Sequence, residues 1–515
     1  MTTRPCLFDQ VRMFAQQCPG DAALIQGNQH MSYSELDEHA RRVCTGLESL
    51  ELDPQSRVVI LCRNRSAFFE IWQGTSMAGH VLTPINPSLA APEIAFIVND
   101  SRAKVVIVDD TSHDSVQKIA DELPDVQQFF TLDSRSSWSS YHDWRDSQEA
   151  SEPQSSTRAG DTVVQMYTSG TTGFPKGVEL DHSAILACVR SMMGETVWPQ
   201  GEVTLVTAPL FHTAGSAYAH CALQSGGAIV LLEQLSPESV LAAIGSHAVN
   251  QALLVPALIR RVLDSPVCVN TDFSNLRRIL YGASPIPVST LQQALEVFAC
   301  DFEQGYGMTE TVGPFCMLRP QDHRQERKLA SCGKAATGTE IRVVDTEGND
   351  CATNEVGEII VSGKQLMKAY WNRPEATAET IRDGWLHSGD AGYFDADGYL
   401  YIHDRLKDMI VSGGENVYPA EVEGVLAACK GVEDVAVIGV PDEHWGESVK
   451  ALVVRQAGST VEAGDISEYA RKHIAAFKCP KSIDFVDSIP RNPSGKILKK
   501  ILREPYWKGL DRRVS

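Results

Sequence analysis

The stretch Tyr167-Thr-Ser-Gly-Thr-Thr-Gly-Phe-Pro-Lys-Gly-Val178 holds the densest chemistry in the sequence. It follows an apolar run, Val163, Val164 and Met166, that reads as a strand. Gly170, Gly173 and Gly177 let backbone N–H groups approach phosphate oxygens with no side chain in the way. Thr168, Ser169, Thr171 and Thr172 add hydroxyl donors, and Lys176 adds a point charge. The order is not that of a Walker A loop, because Lys176 follows Pro175 and precedes Gly177. Glycine, serine and threonine also make ordinary surface turns, so the order of the residues carries the reading rather than their composition.

Such a loop needs a strand before it and a frame around it. Arg57–Cys62, Lys104–Asp109, Ala228–Glu233 and Gln251–Val255 read as buried strands. Helical patterns near Phe68–Gly79, Ser115–Leu123 and Pro237–Ile244 alternate with them, which predicts parallel or mixed sheets covered by helices. Residues 134–158 are polar and read as a surface loop. From Ile341 the pattern turns to short strands and turns, a β subdomain. After Asp404 it changes again: Pro419 opens a helix, two strands follow, and a further helix spans about Ile466 to Ala476. The expectation is an α/β protein with a large domain over 1–404, a hinge at 405–409 and a small mobile α+β domain over 410–515.

At 515 residues one compact core is not expected. A formal charge of −20 excludes nucleic-acid partners, which need a basic footprint. The 13 cysteines stand singly with no CxxC pair, so neither structural zinc nor a disulfide framework is expected. There is no signal-peptide pattern, no apolar run of membrane-spanning length and no Ser-Lys-Leu tail. The expected setting is the reducing cytoplasm, with the chain a monomer or homodimer.

In the order of its residues, the Tyr167–Val178 segment resembles the phosphate loop of the adenylate-forming superfamily: acyl-CoA synthetases, peptide-synthetase adenylation domains and firefly-type luciferases. Segments similar to that family's other motifs follow in order as far as Lys496, and the pattern is nearest to the medium-chain and aryl acyl-CoA ligases. The resemblance implies ATP, Mg²⁺ and coenzyme A, and a carboxylic acid activated as its acyl-AMP before transfer to a thiol. Pro209-Leu-Phe-His-Thr-Ala-Gly215 matches a motif whose histidine lines the acyl pocket, so His212 is expected to orient the carboxylate; read alone, it is as well explained as a packed histidine. Tyr281-Gly-Ala-Ser-Pro285 resembles the segment passing the adenine, with Gly282, Ala283 and Ser284 beside the nucleotide. In Gly305-Tyr-Gly-Met-Thr-Glu-Thr311, the resemblance places Tyr306 on the base, with Gly307 beside it, Thr309 on the α-phosphate and Glu310 on Mg²⁺, together with Thr172. Asp390, in Trp385-Leu-His-Ser-Gly-Asp390, is implied to hold the ribose. Ile402 flanks the nucleotide, Arg405 contacts ribose or phosphate, and Lys407 takes the hinge position, although Asp404 replaces the commoner glycine. Asn492-Pro-Ser-Gly-Lys-Ile-Leu-Lys-Lys500 resembles the motif of the catalytic lysine, which assigns Lys496 to adenylation. Without that match, a lysine-rich tail is a solvated face.

Similar enzymes rotate the small domain between two half-reactions. Ser412, Gly413 and Gly414 are then expected beside the pantetheine path, with Trp445 and Phe477 near the CoA nucleotide. Basic residues expected near Cys479 and Ser88 are missing, and Lys478 and Lys481 are the substitutes at hand. The implied acyl pocket comprises Phe211, His212, Thr213, Ala214, Ser216, Tyr281, Gly282, Gly305, Met308 and Val312. No lysine or arginine stands among these, which favours a monocarboxylic acid with an apolar body, either medium-chain or arylalkanoic. The alternative acceptor is a carrier protein's phosphopantetheine arm. A luciferase-like oxygenase is disfavoured by Phe211-His-Thr-Ala214, and a metallohydrolase by the lack of any HExxH motif.

Overall fold

Runs of valine, isoleucine and leucine become the central strands because both of their faces are covered. Arg57–Leu61, Val105–Val108 and Ala228–Leu231 are buried at every position. The computed structural model describes residues 5–133, 138–168, 175–284, 286–405, 408–412, 415–442, 445–492 and 495–508. Two mixed sheets dominate the N-terminal part, one of eight strands and one of nine. The first is parallel through Arg57–Leu61, Val81–Pro84, Val105–Val108 and Thr162–Thr168, with an antiparallel edge at Lys176–Asp181. The second is parallel from Asp301–Gly307 through Arg278–Gly282, Gln251–Leu253 and Val203–Val206. The helices His182–Glu195 and Thr213–Ser225 share the apolar core of the first sheet and one face of the second.

A five-stranded antiparallel sheet follows, built on Thr339–Val344, Gly357–Gly363 and Trp385–Phe394. The C-terminal part has its own five-stranded sheet and its own apolar core around Ile410, Val422, Leu426, Val437 and Ile466. The architecture is the mixed α/β arrangement expected, a large N-terminal region and a smaller C-terminal domain. Its helix Pro419–Ala427 begins at the proline, whose fixed φ and missing N–H suit a first helical position.

Two expectations need correction. Within the polar stretch, Tyr141–Asp146 forms a short helix capped by the Ser140 side chain. It is anchored inward, where Arg145 pairs with buried Glu70 at 2.6 Å and Tyr141 donates to the same carboxylate at 3.0 Å. The helix expected over Ser115–Leu123 instead spans Asp110–Gln117, because the Asp109 carboxylate caps its first turn.

Candidate active site

The ends of the glycine- and threonine-rich segment Tyr167–Val178 lie on a hairpin. Thr168 at the end of one strand stands opposite Lys176 at the start of the next. Ser169, Gly170, Thr171, Thr172 and Gly173 lie outside the described residues. The hairpin's outer strand pairs with Ala369–Tyr370, which brings Tyr370 to the loop. There the Lys176 ammonium sits 4.9 Å from the centre of the Tyr370 ring, and the Tyr370 hydroxyl donates to Glu310 Oε1 at 2.7 Å. One buried tyrosine thus holds a cation and a carboxylate from remote parts of the chain side by side. Burial and the neighbouring Glu310 raise the phenol well above its ordinary range, so it stays a donor. Met367 N–H donates to the Glu310 carbonyl at 2.7 Å, fixing the backbone as well. Glu310 is thus a buried carboxylate held by a neutral hydroxyl, with no ion pair among the described residues, an arrangement that suits a hard cation such as Mg²⁺.

A second focus joins Tyr306 to Asp390, whose Oδ2 accepts the phenol at 2.8 Å. Asp390 stands opposite Arg405 across a strand pair, and Ile402, partly exposed, lies on the same strand. The Ser388 hydroxyl accepts the Asp390 N–H at 3.1 Å. Glycines here admit backbone where side chains would collide: a Cβ on Gly282 would strike the Gly305 carbonyl oxygen, and one on Gly307 would strike that of Gly313. Ala283 and Val312 have φ of +65° and +62°, a region that costs a β-branched residue most. Thr309 opens the tight turn Thr309–Thr311, closed by the Thr311 hydroxyl donating to Gly313 O at 2.7 Å.

The acyl-pocket set divides. His212 is the N-cap residue of the helix Thr213–Ser225; its ring lies 4.8 Å from that of Phe211, and Ala214 is half-buried beyond it. Burial lowers its imidazole to about 4, so it is neutral at physiological pH, and Nε2 has no partner among the described residues. Thr213, Ser216 and Val312 border a narrow internal void, and Gly305 approaches Pro314 and Met317. Met308 packs instead with the β subdomain core. Tyr281 is a correction. It is fully buried, donates to Gln304 Oε1 at 3.3 Å, lies 3.1 Å from His323 Nε2 and packs with Phe302. Strand alternation sends it to the face opposite Leu280, into the core.

The C-terminal motif approaches Ser284: a Cβ on Gly495 would lie 4.0 Å from Ser284 Oγ. Lys496 N–H donates to Asn492 Oδ1 at 2.8 Å, and Arg491, paired with Asp434 at 2.8 Å, donates to Gly495 O at 2.9 Å. Lys407, Gly413 and Gly414 lie outside the described residues, as does the side chain of Arg405. Ser412 is buried on a strand, while Trp445 and Phe477 expose large apolar surfaces. Lys478 is taken by both oxygens of Glu421 at 2.7 and 2.8 Å, which leaves Lys481, 5.9 Å from the Trp445 ring, as the nearer cation.

Three positioning residues carried no motif. Tyr370 is one; buried Gln365 is another, donating to the carbonyls of Thr311 and Pro314 at 3.0 and 2.9 Å. Glu358 accepts Gly389 N–H at 3.2 Å beside Asp390. Their sequence surroundings are ordinary strand and turn, and only the topology brings them to the site.

The chain matches known proteins over nearly its whole length. The family model described as AMP-binding enzyme matches residues 11–371, and that of the AMP-binding enzyme C-terminal domain matches 421–496. A fatty acid–[acyl-carrier-protein] ligase, ScoC, of Streptomyces coeruleorubidus is 36% identical over 507 residues, covering 97% of this chain and 96% of that protein. A feruloyl-CoA synthase of an Amycolatopsis species is 36% identical over 493 residues, covering 96% and 97%. The crystal structure of the anthranilate CoA ligase AuaEII with anthranoyl-AMP superposes with a TM-score of 0.90 at 25% identity, covering 98% of each chain.

Proposed function

Because this chain belongs to the AMP-binding enzymes of the adenylate-forming superfamily, we propose that it joins an apolar monocarboxylic acid to coenzyme A through an acyl-AMP. The observation that supports the reading most is the Tyr370 ring holding Lys176 and Glu310 together. A cation and a buried carboxylate side by side suit a triphosphate and its magnesium. Bound there, Mg²⁺ would neutralise phosphate charge; Glu310 and Thr172 are the residues to hold it.

In the first half-reaction a carboxylate oxygen attacks the α-phosphorus, the P–O bond to pyrophosphate breaks, and acyl-AMP forms. Lys176 and the hydroxyls of its loop hold the phosphates, and Thr309 lies beside the α-phosphate. Tyr306 and Asp390 position base and ribose, with Arg405 alongside. Neutral His212 orients the carboxylate without supplying a proton. Lys496, brought near Ser284 by the Gly495 turn, stabilises charge as pyrophosphate leaves. In the second, a CoA thiolate attacks the acyl carbon and AMP departs, with Ser412, Gly413 and Gly414 on its path after the small domain turns at Lys407. Joining the acid to AMP replaces oxide, an impossible leaving group, with the AMP phosphate dianion, whose conjugate acid has a pKa of about 6.

Carrier-protein loading is the second reading, favoured by the ScoC match and by the engagement of Lys478 with Glu421. The free cysteines fit a reducing cytoplasmic setting. Among the described residues no helix is long and apolar enough to cross a membrane. A pyrophosphate-release screen across a panel of carboxylic acids, with CoA or with a phosphopantetheinylated carrier protein, tests both. CoA-dependent turnover of one apolar acid class is expected; no release with any acid overturns the reading.

A further inference from the structure

We propose that Asp100 is a positioning residue for adenylation: its carboxylate latches the strand that enters the glycine-rich segment to the segment that carries Tyr370. The proposal rests on the ligase reading and adds a residue that stands behind the site rather than in it.

Asp100 lies in the last turn of the helix Ala91–Ser101. A carboxylate there faces the negative end of the helix dipole, so the helix itself gives no reason for it. Its partners come from elsewhere in the chain. Oδ2 accepts the Tyr167 hydroxyl at 2.8 Å, Oδ1 accepts Arg373 Nη2 at 2.7 Å, and the Asp100 carbonyl accepts Trp371 Nε1 at 2.9 Å. One residue thus joins the strand Thr162–Thr168 to the residues that follow Ala369–Tyr370, with the helix as their common base.

The contacts close into a ring. The Tyr167 hydroxyl, while donating to Asp100, accepts from Gln165 Nε2 at 3.0 Å. Gln165 Oε1 accepts from Arg57 Nε at 2.9 Å, and the Arg57 guanidinium lies 3.6 Å from the centre of the Trp371 ring, whose Nε1 returns to Asp100. Glu179 holds Arg57 from the side at 2.8 Å. Arg57 and Gln165 are buried and the Asp100 side chain is 12% exposed, surroundings that strengthen hydrogen bonds between polar and charged groups. Where Gly177 stands opposite Tyr167 there is no clearance, since a Cβ on Gly177 would strike the Gln165 amide. Trp371 N–H donates to the Gly177 carbonyl at 2.7 Å and draws the third segment into the same clamp.

The residues in the clamp are the chain neighbours of the site. Tyr167 precedes Thr168, Gly177 follows Lys176, and Trp371 follows Tyr370. Successive residues along a strand point to opposite faces. A ring on the back of the sheet therefore fixes groups on its front without reaching them. The clamp sets the 4.9 Å separation of Lys176 from the Tyr370 ring and, through the Tyr370 hydroxyl, the place of Glu310. D100N leaves one acceptor oxygen for two donors, so it releases Tyr167 or Arg373 with almost no change of shape. Y167F opens the ring by removing a single oxygen.

The test measures D100N and Y167F on the full chain in three ways: acid-dependent ATP–pyrophosphate exchange, thiolation of supplied acyl-AMP, and amide hydrogen exchange. Each variant is expected to lose about 10- to 100-fold in kcat/KM for MgATP, the scale of a displacement of about 1 Å, while thiolation stays within about twofold of the parent. The double variant should be no worse than D100N, because both changes open the same ring. Amide exchange over 176–181 and 369–373 should quicken together in each variant, with or without ATP. Equal loss in both half-reactions makes Asp100 a fold anchor and overturns the proposal, as does a kcat/KM within twofold of the parent in both variants. If D100N does not fold, Y167F decides by the same criteria. If the parent releases no pyrophosphate with any acid, the ligase reading falls; the paired exchange of the two segments then decides the latch, and unchanged exchange overturns it.

Discussion

Replacing Tyr370 with phenylalanine removes one oxygen and leaves the ring. That oxygen is buried and donates to the Glu310 carboxylate at 2.7 Å. A hydrogen bond to a charged group contributes about 1.5–3 kcal/mol, which at 1.36 kcal/mol per decade is about 10- to 150-fold in rate or affinity. The phenylalanine ring keeps its face toward Lys176, now 4.9 Å away, and the backbone pairing of Tyr370 with Val178 is untouched. The loss should therefore fall on Glu310 alone. In acid-dependent ATP–pyrophosphate exchange, Y370F is expected to need more Mg²⁺ for half-maximal rate and to lose about 10- to 150-fold in kcat/KM for ATP at limiting Mg²⁺. Its melting temperature should fall by a few degrees, because the buried Glu310 carboxylate loses its donor. An exchange rate within twofold of the parent at every Mg²⁺ concentration would refute the claim that Tyr370 positions the magnesium carboxylate.

K496A should abolish pyrophosphate release while leaving thiolation of supplied acyl-AMP largely intact; equal loss in both half-reactions contradicts the assignment. Y306F and D390N should each raise KM for ATP and couple by about 1 kcal/mol in a double-mutant cycle, because they share the 2.8 Å bond. G282A should weaken ATP binding and cost about 1–3 kcal/mol of stability by overpacking, since the added methyl meets the Gly305 carbonyl; an unchanged melt and ATP titration would contradict this. Burial holds His182 down to about 4 from 6.5, and its Nδ1 accepts Leu7 N–H at 3.0 Å. Between those pH values the unfolded chain binds more protons than the folded one. Stability is thus fullest above pH 6.5 and declines toward pH 4, by roughly 3 kcal/mol for the complete shift. Urea denaturation across that window measures the slope, which H182N should flatten.

What the sequence made legible follows from the range of the forces involved. A phosphate loop is a local object, since glycines, hydroxyls and a lysine must follow one another for backbone amides to converge, and the order is visible in Tyr167–Val178. The central strands are equally local, because burial on both faces demands unbroken runs such as Arg57–Leu61. The Tyr141–Asp146 helix was illegible because its stabilisation is remote: a serine cap and one arginine reaching Glu70 outweigh a polar composition. Tyr281 misled because a motif names positions without naming faces, and alternation along Arg278–Gly282 turns it toward Phe302. Tyr370 and Gln365 carried no signal for a related reason. Each acquires its role only when strands far apart in the chain are laid side by side, and the catalytic groups a motif reveals are held in place by residues that no motif contains. In this chain the distinction can be tested directly, since Y370F should act through Mg²⁺ although Tyr370 lies outside the loop that first identified the site.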